Sequence, residues 1–107
     1  MSQKARFTYR EFYDVPRMIV VARRGLKLLL DCKFDKVLDE YPATYRVYVL
    51  PEQIDESNLQ SWEGLPEMAT KYLGDLPVDQ VVFDASNRLE IDTDVIDSFL
   101  GDNNFAE

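Results

Sequence analysis

The sequence predicts a single α+β domain over residues 1–107, built on a curved, mainly antiparallel sheet of about six strands with two or three short helices. Three observations lead there. The first half is a series of short aromatic and apolar runs broken by proline and glycine, the pattern of strands and turns. The second half adds two segments whose apolar residues recur at helical spacing between cap and stop residues. Six Phe, six Tyr and one Trp supply enough bulk for a core at this length.

Phe7–Tyr13 reads as the first strand, ended by Asp14-Val15-Pro16. Met18–Ala22 and Leu26–Cys32 form a hairpin around Arg23-Arg24-Gly25, where Gly25 supplies a positive φ. Both arms are apolar throughout, which implies burial on both faces or a strongly curved sheet. In Lys33–Tyr41, residues Phe34, Val37, Leu38 and Tyr41 share one side of a helical turn, with an extended loop as the alternative. Thr44–Leu50 alternates as a strand and stops at Pro51.

Asp55-Glu56-Ser57-Asn58 is cap and turn chemistry ahead of Leu59 and Trp62. A helix is expected from Pro66 to about Leu73, with Gly74 as its stop and Leu65, Met68, Ala69, Tyr72 and Leu73 on its apolar face. Val81–Phe83 and Arg88–Ile91 flank the turn Asp84-Ala85-Ser86-Asn87 as a second hairpin. A last helix over Asp94–Leu100 takes Asp92 or Thr93 as cap and Gly101 as stop. Residues 1–5 and 102–107 are expected to fray.

Charge is divided unevenly along the chain. Residues 1–46 hold ten Lys/Arg and six Asp/Glu, whereas residues 47–107 hold two basic and fourteen acidic residues, for a formal net charge of −8. Such a balance favours basic protein partners and disfavours nucleic acid, despite arginines interleaved with Phe7, Tyr9, Phe12 and Tyr13. The first six residues are polar and no apolar leader follows, so a cytoplasmic setting without a membrane anchor is expected. A single cysteine, Cys32, agrees with a reducing compartment and reads as a buried, inert thiol.

Catalytic constellations are hard to assemble. There is no histidine to act as base or metal ligand. Gly25, Gly64, Gly74 and Gly101 form no phosphate-binding loop. Asp92, Asp94 and Asp97 lack the spacing of a Ca²⁺ loop, and capping explains them better. Asp84, Asn87 and Glu90 read as turn chemistry. No enzyme activity, cofactor or metal is therefore expected.

The expectation is a small acidic protein-interaction domain. Its candidate contact residues are Trp62, Glu63, Asp84, Glu90 and Asp94 on the acidic side, with Arg23 and Arg24 at the basic turn. Trp62 has two readings, a core anchor or an interface hot spot. Two alternatives stand beside this one. An inhibitor or immunity-type protein would mask a basic, nuclease-like site, provided the carboxylates of 75–97 are exposed in a row like phosphates. A small-ligand protein would use a pocket lined by Tyr9, Glu11, Tyr13, Tyr45, Arg46 and Tyr48. Homo-oligomers are a further expectation, because a basic half and an acidic half invite head-to-tail contact.

Overall fold

Apolar runs that alternate poorly need cover on both faces of their sheet, and the chain provides it. A computed structural model describes residues 4–12, 16–23, 25–81 and 90–102. The strands are β1 (Lys4–Phe12), β2 (Pro16–Arg23), β3 (Leu26–Asp31), β4 (Thr44–Leu50), β5 (Lys71–Pro77) and β6 (Glu90–Asp92). The helices are α1 (Leu65–Met68) and α2 (Thr93–Asp102). β1 to β5 form an antiparallel meander, and β6 returns to the far edge beside β1, giving the order β5-β4-β3-β2-β1-β6.

Side-chain alternation sorts the central strands into two cores. Ile19, Val21, Leu28, Leu30, Tyr45 and Val47 face one side, where Phe7, Ile91 and the α2 residues Ile96 and Leu100 pack on them. Met18, Val20, Leu29 and Leu50 face the other side, beneath Trp62 and Leu65 of the segment between β4 and β5. That segment contains a turn of 3₁₀ helix at Glu56–Asn58, whose first turn is capped by the Asp55 carboxylate accepting from the Ser57 amide. The Asp92 carboxylate does the same for α2 by accepting from the Asp94 amide at 2.9 Å.

Several expectations need correction. The helix expected over Pro66–Leu73 is only the four-residue α1, and Lys71–Pro77 is a strand paired with β4. The register skips between Val47 and Tyr48, so Tyr48 opposes Tyr72 while Val47 opposes Gly74. Leu73 is the extra residue of this bulge, and the phase change lets both Leu73 and Leu76 point into the α2-side core. Apolar spacing of three in a strand imitated a helix. Gly74 does not stop a helix; it carries φ 127° inside β5, a region other residues avoid.

The turn between β2 and β3 has two residues rather than three, because Arg23 pairs with Leu26. Gly25 holds φ 77° there, as the tight turn requires. Lys33–Tyr41 is not a helical turn but a short bridge-closed loop. α2 runs through Gly101, which does not stop it, to Asp102, and β1 begins at Lys4, opposite Asp92. Val81 is outside any strand, and the remainder of the expected second hairpin, from 82 to 89, lies outside the described residues. No helix among the described residues is long and apolar enough to cross a membrane.

Candidate interaction surface

The connection from β3 to β4 folds back on itself as a small finger. Asp35 and Glu40 exchange backbone hydrogen bonds at 2.9 and 3.2 Å, closing four residues into a turn. Asp35 Oδ1 accepts from the amides of Val37 (2.9 Å) and Leu38 (3.1 Å), fixing the turn from inside. Asp39 takes the left-handed φ of 56° that a short polar side chain tolerates. At the base, Phe34 and Tyr41 meet edge to face at 5.0 Å, and the Arg17 guanidinium lies 4.1 Å from the Tyr41 ring centroid. The tip is aliphatic and held in water: Val37 is 93 % exposed and Leu38 65 % exposed.

A cavity of about 280 Å³ opens beside the finger, lined by Met18, Asp31, Lys33, Phe34, Lys36 and Glu63. Three chain segments build it. Met18 and Asp31 are cross-strand partners on β2 and β3, Lys33 to Lys36 are the rising arm of the finger, and Glu63 comes from the cover over the second core. Its lining combines two apolar residues, Met18 and Phe34, with four charged ones of both signs, Asp31, Lys33, Lys36 and Glu63. Lys33, Phe34 and Lys36 of the finger line the cavity, so finger and cavity adjoin.

The residues nominated by the sequence scatter. Glu63 is exposed and belongs to this patch. Trp62 does not reach the surface: it is 3 % exposed, its Nε1 donates to the Glu56 carbonyl at 2.9 Å, and Arg10 covers its ring. Asp94 is exposed at the start of α2, where it shares a cleft of about 280 Å³ with Asp75. Arg23 is tied to Asp97 by Nε and Nη2 at 2.7 and 2.6 Å, and that carboxylate raises the guanidinium pKa further above its ordinary value. Glu90 is placed by its backbone alone, opposite Arg6 on β1. Asp84 and Arg24 lie outside the described residues.

Charge that is segregated along the chain is partly interleaved in space. Arg23 pairs with Asp97, Lys27 with Glu56 at 3.2 Å, and Arg46 sits opposite Asp75 in the β4–β5 ladder. Among the described carboxylates of 75–97, Asp75, Asp79 and Asp94 are exposed; Asp75 accepts from the Tyr72 hydroxyl, Asp92 caps α2 and Asp97 holds Arg23. Tyr45 and Tyr48 lie on opposite faces of the sheet, with Tyr9 on the Tyr45 side. Tyr45 is fully buried on the α2 side with its hydroxyl donating to Pro16 O at 2.7 Å, whereas Tyr48 packs on the opposite face. Tyr13 lies outside the described residues.

Cys32 is fully buried, with the Arg17 Nη1 donating to its sulfur at 3.2 Å and its thiol donating to Pro42 O at 3.3 Å. Among the described residues, no group of three His, Cys, Asp or Glu side chains is placed to hold a metal ion.

No known protein family, curated protein or solved structure matches this chain.

Val37, Leu38, Lys33, Lys36 and Met18 were not among the sequence candidates. The signal that could have found the tip is the aliphatic pair bracketed by Lys36 and Asp39 inside a segment with no room for a full helix. Its spacing fits a helix because Phe34 and Tyr41, the two ring residues at the finger's base, sit seven apart.

Proposed function

We propose that this chain is a non-catalytic protein-interaction domain whose contact surface is the finger at 33–41 together with the cavity at its base. One observation carries the reading: two adjacent aliphatic side chains are held in water by a turn whose hydrogen bonds keep them there. Isolated exposed apolar residues are common, but a contiguous pair fixed by its turn beside a cavity lined by charges of both signs has the anatomy of a docking surface. The formal charge of −8 favours partners that are basic around their own contact patch, by steering the encounter rather than by strengthening the final complex. The protein is read as cytoplasmic, and neither a cofactor nor a nucleic acid enters this proposal.

The test compares wild-type and Leu38→Asp proteins as baits in native extract at about 50 mM and about 500 mM salt, a range over which screening shortens from beyond 10 Å to a few Å. Proteins held by the wild type and lost by the variant support the reading. Identical recovery on both baits sinks it. Leu38 is largely exposed, so the substitution leaves the fold in place.

A further inference from the structure

We infer that the outer edge of β5 receives an extended basic segment of a partner protein as an added antiparallel strand, with alternate side chains seated in the cleft between β5 and α2. That cleft shares no lining residue with the finger or its cavity. β5 ends the sheet, and among the described residues no strand pairs with its outer side. The Val78 amide donates to the Ala43 carbonyl at 2.9 Å, which makes Pro77 and Thr44 a non-hydrogen-bonded pair of the antiparallel ladder. Two residues back, Asp75 opposite Arg46 has the same phase, so its N–H and C=O both turn away from β4. The Pro77 carbonyl turns outward with them. A strand edge of this kind is a template for another strand, and such addition is a common mode of peptide recognition.

The cleft, of about 280 Å³, sets the chemistry of the added strand. Leu76, Pro77, Val95 and Phe99 supply apolar walls, and its charged residues, Asp75 and Asp94, are both carboxylates. Exposed Asp79 adds another on the 3₁₀ turn Val78–Gln80. Two arginines come near, and each already faces a carboxylate: Arg46 opposes Asp75, and Arg23 is bound by Asp97 with the Asp94 charge also acting on it. Lys71 stands at the other end of β5, beyond the bulge. The charge left over at the cleft is negative. A residue opposite Leu76 in the added strand points to the α2 side, because cross-strand neighbours share a face and Leu76 belongs to that core. A lysine or arginine there lays its methylenes on Leu76, Val95 and Phe99 and carries its charge to Asp94. Pro77 lacks an N–H and the register breaks at Leu73, so the open stretch is short and the complex is weak.

The probe is a labelled peptide alternating lysine and valine, with fluorescence anisotropy reading its affinity and amide chemical shifts of the protein locating it. The expected dissociation constant at low salt is about 0.1–1 mM, that of a weak complex. Shifts should centre on β5 and the cleft face of α2, and the Asp75 amide should gain protection from hydrogen exchange. With lysine opposite Leu76, the valine nitrogens face β5. Methylating them keeps the charge but removes the strand pairing, and should weaken binding about tenfold. Glutamate in place of lysine should weaken it as much. Asp94→Lys, at an exposed position, should cost about tenfold and turn the preference towards the glutamate peptide. No binding up to several millimolar, equal binding of the methylated peptide, or an affinity unchanged by Asp94→Lys would overturn the inference. Leu38→Asp should bind the peptide as the wild type does, so this inference and the finger reading stand or fall separately.

Discussion

Arg10 lies over Trp62, with its guanidinium carbon 5.1 Å from the ring centroid, while Nη1 and Nη2 donate to the carbonyls of Gln60 and Leu59 at 2.8 and 2.6 Å. One side chain of β1 thereby fastens the 51–70 cover to the sheet. Arg10→Ala should lower stability by about 1–2 kcal/mol, the range of a partly desolvated cation–π contact with charged hydrogen bonds. Arg10→Lys should recover little, because an ammonium cannot stack and reach two carbonyls from one plane. Trp62 is the sole tryptophan, so its emission follows urea unfolding directly.

Trp62→Ala should cost about 3–5 kcal/mol, as large aromatic truncations in cores do. Trp62→Phe keeps most of the packing and removes the donor to the Glu56 carbonyl. Its cost should fall to roughly 1 kcal/mol. Similar melting losses for the two variants would contradict a packing role for the indole.

Gly74 sits at φ 127° where β5 passes its bulge. Gly74→Ala should destabilise by about 1–3 kcal/mol through backbone strain. Gly64→Ala is the control, since Gly64 has φ −86° and open space around an added methyl group. Equal melting temperatures for the two variants would remove the strain argument.

Tyr72 donates its hydroxyl to Asp75, and this hydrogen bond, with burial and the carboxylate charge behind it, pushes the phenol from 10.0 up to about 12. The bond favours the protonated phenol in the folded chain. Its contribution is therefore complete below 10 and is lost as pH rises from there towards 12. The tyrosinate absorbance difference between wild type and Tyr72→Phe should show this late titration. Asp75→Asn should bring it back towards 10.0. A Tyr72 titration already near 10.0 in the wild type would show that the bond is not made.

Asp97→Ala should cost about 1 kcal/mol, more than a typical surface pair, because Arg23 engages both carboxylate oxygens. The loss should shrink when both residues are replaced. A double-mutant cycle read by urea unfolding separates the pair from its surroundings.

What could be read from the sequence was local or periodic. The β2–β3 hairpin, β4 and the amphipathic face of α2 follow from runs of apolar residues and the turn and cap residues around them. Burial on both faces of β2 and β3 followed from their unbroken apolarity, because a half-solvated strand would alternate. β5 was hidden, since the extra residue at Leu73 changes the phase and leaves Leu73 and Leu76 three apart. The finger was hidden for a related reason: ring residues that meet edge to face at its base sit seven apart in sequence, as they would along a helix. Pairings such as Arg23 with Asp97 are separated by most of the chain, and no linear pattern announces them. Of the nominated contact residues that the structure describes, Glu63 lines the proposed surface, while Trp62, Asp94 and Arg23 lie elsewhere.

The sheet serves as a wall between two cores, each closed by a different piece of chain. α2 seals one, and the 51–70 segment, latched by Arg10, seals the other. Such a layout has two doors, and opening one leaves the other shut. In hydrogen exchange, amides of α2 and amides of 56–69 should therefore open with separate free energies, both below that of the central strands. A proteolytic cut or a mutation behind one door would raise exchange there first, while the opposite core kept its protection.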